Sequence, residues 1–129
     1  MTFQTRNQKL AQEAYARVTK RGEQEREYVT FAKKFPALVH TCGLAQAVAF
    51  AEAKGSSKDG QAKKPEMKYL EDLAAVLKSG GYNAIDSAKK LAETTRFEAL
   101  GGYLRLSRDA IQAASWLKRY VEVASGEAE

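Results

Sequence analysis

The sequence predicts an all-α protein, a compact single-domain bundle of about six helices around a central apolar helix. Of the 129 residues, 44% are hydrophobic and only two are proline, and helix-favouring Ala, Leu, Lys, Glu and Gln are frequent. Apolar residues recur at spacings of three and four, which is the period of a helix face. A chain of this length forms one domain, here 1–129, and buries roughly two thirds of the surface that its unfolded form exposes.

The segment 35–53 is apolar around nearly its whole circumference, and it predicts the central helix. After Gly43 only Gln46 and Glu52 are clearly polar, and a helix that is apolar on most sides must be surrounded by others. We expect Pro36 to end the preceding helix and to begin a short one of about two turns. Gly43 can then end that short helix and start the next.

Amphipathic patterns predict the remaining helices. They cover about 5–20, 23–35, 66–79, a segment from a cap at Asn83 or Asp86 to about 94, and a last helix that begins between 96 and 102 and ends near 124. The first of these places Tyr15 on its apolar side. The segment 54–65 combines glycine, serine and proline without apolar periodicity, so we expect a mobile surface loop whose lysines could order on a phosphate backbone. A disordered tail is expected over 125–129.

Charge and cysteine content narrow the classes of protein and partner. A net charge of +5 permits an anionic partner, although many ordinary soluble proteins carry such a charge. One cysteine and one histidine can form neither an internal disulfide nor a zinc site by themselves, which fits a reducing compartment. No segment approaches the roughly 18 apolar residues of a membrane span, and the N-terminal residues lack the apolar run of a secretion signal. We therefore expect a soluble, cytoplasmic protein that does not contact membranes.

The residues that could carry catalysis do not form a catalytic pattern. On a helix, His40 and Cys42 point about 200° apart and cannot share a proton, so both are expected to be structural. No glycine-rich loop has the Lys-Ser/Thr ending of a nucleotide cradle. Pairs of carboxylates lie on polar helix faces and are expected to be solvated: Glu25 with Glu27, and Glu71 with Asp72. The sequence therefore predicts a protein that is not an enzyme and has no cofactor or metal.

The last helix carries a basic stripe opposite its apolar side. Arg108 and Arg119 lie eleven residues apart, about three turns, and Arg105 and Gln112 lie beside them. The planar donor fork of a guanidinium suits backbone phosphates, although every surface helix also needs a solvated face. Trp116 borders the stripe, where stacking on a base and packing under a neighbouring helix are both open interpretations.

Two stretches, within 28–50 and 107–119, resemble the small subunit of type III-B CRISPR RNA-guided effector complexes, the Cmr complexes. The first is Tyr28-Val-Thr-Phe-Ala-Lys-Lys-Phe-Pro36, leading through His40-Thr-Cys-Gly-Leu-Ala-Gln46 to Phe50; the second is Ser107-Arg-Asp-Ala-Ile111 followed by Trp116-Leu-Lys-Arg119. With the helix order between them, the resemblance covers nearly the whole chain. The family pattern often has Asn at the position of Cys42.

The resemblance implies a compact all-α subunit that is present in several copies and stacks into a short filament. That filament would lie beside the backbone subunits that hold the guide RNA, in the groove where target RNA pairs with the guide. Cleavage and nucleotide signalling would belong to other subunits. The implied partners are the backbone and large subunits, further copies of the chain, and guide and target RNA.

We therefore predict a basic surface that contacts the phosphates of target RNA without reading bases. Its residues are Lys33, Lys34, Arg105, Arg108, Lys118 and Arg119, with Arg6, Lys9 and Arg17 as weaker candidates. The two adjacent lysines would also suit the C-terminal turn of the helix over 23–35, where the macrodipole favours cations. The sequence leaves two alternatives open: a purely structural adaptor without direct RNA contact, and a small dimeric DNA-binding regulator whose recognition helix reads base edges.

Overall fold

The computed structural model describes residues 4–21, 26–56, 64–124 and 126. These residues form six helices and no strand, which confirms the predicted all-α bundle. The helices are α1 (Arg6–Arg21), α2 (Arg26–Cys42), α3 (Leu44–Gly55), α4 (Pro65–Ser79), α5 (Ala88–Phe97) and α6 (Leu100–Ala124). None of these helices has both the length and the apolar content that crossing a bilayer requires.

The helix at the centre of the bundle is α4, and the expectation that 35–53 supplies it is wrong. α4 contacts each of the other five helices, whereas α3 packs chiefly on α2, α4 and α5. Much of the apolar character of α3 comes from alanine, and Ala49 and Ala53 are exposed, as is 41% of Phe50. Exposed alanine is common on protein surfaces, so an alanine-rich circumference does not require burial on every side.

The second helix continues through Pro36, so the predicted break before that residue is also wrong. Proline inside a helix removes one backbone hydrogen bond and costs about 3 kcal/mol. Phe31, Phe35 and Val39 are all buried, at successive four-residue steps on both sides of Pro36. Their shared packing into the core offsets the local cost, because tertiary burial of one face contributes most of a helix's stability.

Gly43 separates α2 from α3, as predicted. Its φ of +88° lies in the region that residues with a Cβ rarely adopt, and a Cβ placed there would lie 3.7 Å from the Tyr103 hydroxyl. The backbone angle, and not a lack of space, therefore favours glycine. The same Tyr103 hydroxyl accepts a hydrogen bond from the Ala45 N–H at 3.0 Å, so α6 supplies the cap at the start of α3.

The expected loop 54–65 is shorter at both ends than predicted. Lys54 and Gly55 belong to the last turn of α3, and Pro65 is the first residue of α4, a position that proline suits. Of the residues between Gly55 and Pro65, positions 57–63 lie outside the described residues. In the predicted tail 125–129, only position 126 is described.

The N-terminal cap of α5 is Ser87, and neither Asn83 nor Asp86. The Ser87 hydroxyl accepts a hydrogen bond from the Lys90 N–H at 3.2 Å, which satisfies one free donor of the first turn. α6 then starts at Leu100, within the predicted interval, and includes the glycine pair that made its start uncertain from sequence.

Two buried carboxylates hold α1 against the rest of the bundle. Asp72 of α4 accepts hydrogen bonds from Arg17 Nε at 2.9 Å and from Arg21 Nε at 2.5 Å, and also from the Tyr28 hydroxyl. Asp109 of α6 accepts from Arg6 Nη2 at 2.7 Å and from a tyrosine hydroxyl, that of Tyr82, at 2.5 Å. The expectation that Asp72 is solvated is wrong, because its side chain has no exposed surface. Each carboxylate is buried only together with cationic partners, as the high cost of an unpaired buried charge requires.

Candidate nucleic-acid interface

The solvent face of α6 carries the predicted stripe. Arg105, Arg108, Gln112 and Arg119 are all exposed and fall within an arc of about 60° around the helix axis. The opposite side packs into the core through Leu106, Ala110, Ala113, Ala114, Leu117 and Val121. Because the first and last arginines are separated by about 21 Å along the helix, the stripe spans most of the length of α6.

The arginines of the stripe keep most of their charge free. Arg108 is 70% exposed, and its Nε lies 4.0 Å from Asp109, whose carboxylate already pairs with Arg6 at 2.7 Å. Within the described residues, neither Arg105 nor Arg119 forms an ion pair. The stripe is therefore exposed and able to accept an anion from outside the chain.

The other predicted residues of α6 lie at the edge of this surface. Lys118 is half-buried on the flank of the helix. Trp116 is half-buried at the boundary with α1, where its Nε1 donates to Asn7 Oδ1 at 2.8 Å and its ring stacks on Tyr120 with centroids 5.7 Å apart. Of the two interpretations for Trp116, the structure shows packing between helices.

Lys33 and Lys34 lie in the middle of α2, so the macrodipole at a helix C-terminus does not account for them. The ammonium of Lys34 lies over two rings, those of Phe31 at 5.6 Å and of Phe50 at 5.5 Å. Lys54 of α3 covers Phe50 as well, at 5.6 Å. The structure thus brings Lys34 together with a lysine that the sequence placed in a loop, through a partly exposed phenylalanine. Lys33 is half-buried and interacts with another group of the chain.

Two of the three weaker candidates are engaged in internal ion pairs. Arg17 binds the fully buried Asp72, and Arg6 binds Asp109 while its guanidinium covers the Tyr82 ring at 5.5 Å. Their first role is therefore to hold α1 in place. Sequence reasoning missed these pairs because Asp72 and Asp109 lie more than 50 residues from their arginine partners. Lys9, the third candidate, is exposed.

His40 and Cys42, the candidate base and nucleophile, lie in different environments. His40 is exposed, whereas Cys42 is half-buried and its thiol donates to the Leu38 carbonyl at 3.2 Å. Glu25, of the first carboxylate pair, lies outside the described residues. Across the described ranges, no three histidine, cysteine, aspartate or glutamate side chains are grouped closely enough to hold a metal ion.

An exposed apolar patch, which the sequence did not reveal, lies at the junction of α5 and α6. Phe97, Leu100 and Leu104 are 81%, 72% and 58% exposed, and they follow one another within two turns of chain. Leu100 and Leu104 lie one helical turn apart on the same face of α6, and exposed apolar side chains grouped in this way are typical of protein contact surfaces. Periodicity could not identify them, because the start of the last helix was uncertain to within six residues.

Comparison with known proteins agrees with the fold and with the resemblance seen in the sequence. The model of the family described as CRISPR-associated protein (Cas_Cmr5) matches residues 6–124. The chain is 39% identical over 122 residues to the CRISPR system Cmr subunit Cmr5 of Thermus thermophilus, which covers 93% of this chain and 96% of that protein.

Comparison with solved structures leads to the same family. The X-ray crystal structure of a CRISPR-associated Cmr5 family protein from Thermus thermophilus superimposes with a TM-score of 0.76 at 37% sequence identity. The match covers 94% of this chain and 97% of that one. The resemblance that rested on residues 28–50 and 107–119 is confirmed, and the chain belongs to the Cas_Cmr5 family of CRISPR-associated proteins.

Proposed function

We propose that the chain is the non-catalytic small subunit of a type III-B CRISPR effector complex in the cytoplasm. Several copies stack beside the backbone subunits, and each places the basic face of α6 against phosphates of the target RNA or its duplex with the guide. The observation that carries this proposal is the line of exposed arginines on α6, at Arg105, Arg108 and Arg119, in a chain whose relative is named a Cmr subunit.

The chemistry of this face suits a phosphate backbone. Each guanidinium offers a planar fork of donors, and contacts to phosphates carry no direct information about sequence. The flanking lysines that we assign to the same function are Lys33, Lys34 and Lys118. A single copy with a few such contacts binds weakly, whereas copies arrayed along one RNA gain effective concentration.

Contacts with other subunits need a surface of a different kind. The patch at Phe97, Leu100 and Leu104 is apolar and exposed, and burying each leucine in an interface would contribute roughly 1.5–3 kcal/mol. We assign this patch to contacts within the complex, with a backbone subunit, the large subunit or another copy of the chain.

The salt dependence of RNA binding by the assembled complex tests the proposal. Each neutralised phosphate releases counterions, so affinity falls as the salt concentration rises. For each contact, the logarithm of the binding constant falls by roughly 0.7–0.9 per tenfold increase in salt. Changing Arg105, Arg108 and Arg119 to alanine should therefore reduce the slope by about two to three for each copy in contact with RNA. A matched variant removes three exposed lysines elsewhere, at Lys64, Lys78 and Lys89. An equal slope in the two variants would show that α6 is not the RNA surface.

The second candidate is a purely structural adaptor, which the apolar patch favours. In that case the same patch holds the chain in the complex while α6 faces solvent. Photo-crosslinking separates the two functions, because only the first places α6 within bonding distance of RNA.

A further inference from the structure

A cleft of about 280 Å³ lies between α1 and the last turns of α6. It is lined by Tyr15, Val18, Thr19, Tyr120, Val123 and Ala124. The sequence pattern placed Tyr15 on the buried side of the first helix, but its side chain is 57% exposed at the mouth of the cleft. Val18 is buried and forms part of the apolar wall. The walls are thus aromatic and aliphatic apart from Thr19.

The aromatic rings of the cleft are held in place by contacts within the chain. Tyr15 meets Tyr120 edge to face, with centroids 5.4 Å apart and planes at 77°. Tyr120 stacks in turn on Trp116, with planes at 19°, and Trp116 is fixed by its hydrogen bond to Asn7. Because the rings are positioned in the free chain, a flat ligand can stack on them without first ordering them.

The stripe brings a positive charge to the α6 side of the cleft. Arg119 is exposed and lies one helical turn before Val123 of the cleft lining. Glu122, the acidic residue of the same turn of α6, already interacts with another group of the chain. A ligand that complements this arrangement has a flat apolar ring for the cleft and an anionic group beside it.

We propose that the cleft holds an unpaired nucleobase of a single RNA strand, with an adjacent phosphate on Arg119. The inference rests on the proposed function, since Arg119 belongs to both surfaces, and it adds that the strand at this end of α6 is not paired. A base within a duplex is stacked and paired, so it cannot enter the cleft. Stacking on tyrosine accepts any base, so the cleft distinguishes single strands from duplex without reading sequence.

The single tryptophan of the chain makes the proposal testable, since Trp116 lies directly against Tyr120. The full chain is titrated at low salt with a 12-nucleotide oligouridine and with a 12-base-pair RNA duplex, and tryptophan fluorescence is followed. We expect the single strand, and not the duplex, to change the fluorescence. Tyr15→Leu and Tyr120→Leu should each weaken binding of the single strand roughly five- to hundredfold, the range measured when a stacked aromatic is removed.

His40→Leu is the matched control, because it removes an exposed ring of α2 that does not line the cleft, and the affinity of this variant for the single strand should equal that of the unaltered chain. Crosslinks from 4-thiouridine should map to residues of the cleft. The proposal is overturned if Tyr15→Leu binds the single strand normally, or if duplex and single strand change the fluorescence equally.

It is also overturned if Tyr15→Leu releases a protein subunit from the complex while RNA affinity is kept, because the cleft then holds a protein side chain. The two tests fail separately. Normal single-strand binding by Tyr15→Leu, together with a salt slope that falls when the α6 arginines are removed, rejects the cleft alone. A slope that falls no more than in the lysine control rejects the proposed function.

Discussion

The hydroxyl of Tyr28 donates a hydrogen bond to the carboxylate of Asp72, and both side chains are essentially shielded from solvent. Arg17 and Arg21 complete the cluster from α1, and the Arg21 guanidinium also covers the Tyr28 ring at 5.3 Å. One carboxylate thereby joins three helices, α1, α2 and α4.

Replacing Asp72 should destabilise the protein severely. Asp72→Ala leaves two partly buried guanidinium groups and a buried hydroxyl without their acceptor, and breaking a buried ion pair in this way costs about 3–5 kcal/mol. Urea unfolding measures the free energy. Asp86→Ala, which removes an exposed carboxylate, should stay within about 0.5 kcal/mol of the unaltered chain. If Asp72→Ala lowers the free energy of unfolding no more than Asp86→Ala does, the cluster does not hold α1.

The two buried tyrosines should respond in opposite directions to loss of the hydroxyl. Tyr69 packs edge-on against Tyr28, but its hydroxyl has no hydrogen-bond partner within the described residues. Tyr69→Phe removes an unsatisfied polar group and should leave stability unchanged or raise it by about 1 kcal/mol, whereas Tyr28→Phe should lower it by about 1–3 kcal/mol. Equal losses in the two variants, measured by thermal or urea unfolding, would contradict this assignment.

Stability should fall at alkaline pH. Burial, reinforced by a neighbouring carboxylate, raises the pKa of Tyr28 and Tyr82, and burial also raises the pKa of Tyr69. Below the unfolded pKa of about 10, both states keep their protons and the free energy of unfolding does not depend on these groups. Above it the unfolded state releases protons that the folded state keeps, so each fully buried tyrosine lowers stability by up to about 1.4 kcal/mol per pH unit.

Urea titrations between pH 8 and pH 11 check this expectation. The free energy of unfolding should be constant up to about pH 10 and then decline. Combining Tyr28→Phe with Tyr69→Phe should make the decline shallower. A free energy that is the same at the two ends of the range would show that these hydroxyls ionise as readily in the folded chain as in the unfolded one.

The apolar patch should matter for assembly and not for folding. Leu100→Glu with Leu104→Glu places two charges on exposed positions, so the isolated chain should keep its stability within about 1 kcal/mol. Association of the double variant with the other subunits should weaken at least about tenfold, since charge at an apolar contact is strongly unfavourable. Gln12→Glu with Gln46→Glu adds the same charge at exposed polar positions of α1 and α3. Size-exclusion chromatography of the reconstituted complex should show full assembly for this control only.

The fold was largely predictable because most of its signals are local. The helix boundary at Gly43 and the solvent face of α6 follow from residue type and from the helical period, and both were found where expected. The course of α2 through Pro36 was not predictable in this way, since burial of Phe31 and Val39 against other helices outweighs the local preference of proline. The same holds for the central position of α4, which depends on contacts with all five other helices.

The candidate site was predictable in part for the same reason. The arginine stripe is a property of one helix and could be read from spacing. The burial of Asp72 depends on arginines some 50 residues away, and the cleft needs Tyr15 and Tyr120 from opposite ends of the chain. Such pairings between distant segments leave no periodic signal in a single sequence.

A reconstruction of the assembled complex with target RNA bound tests the central claim most directly. We predict that the guanidinium groups of Arg105, Arg108 and Arg119 lie within hydrogen-bond distance of RNA phosphates in each copy of the chain. A reconstruction in which this face of α6 packs on a protein subunit, or faces solvent away from the RNA, would contradict the proposed function.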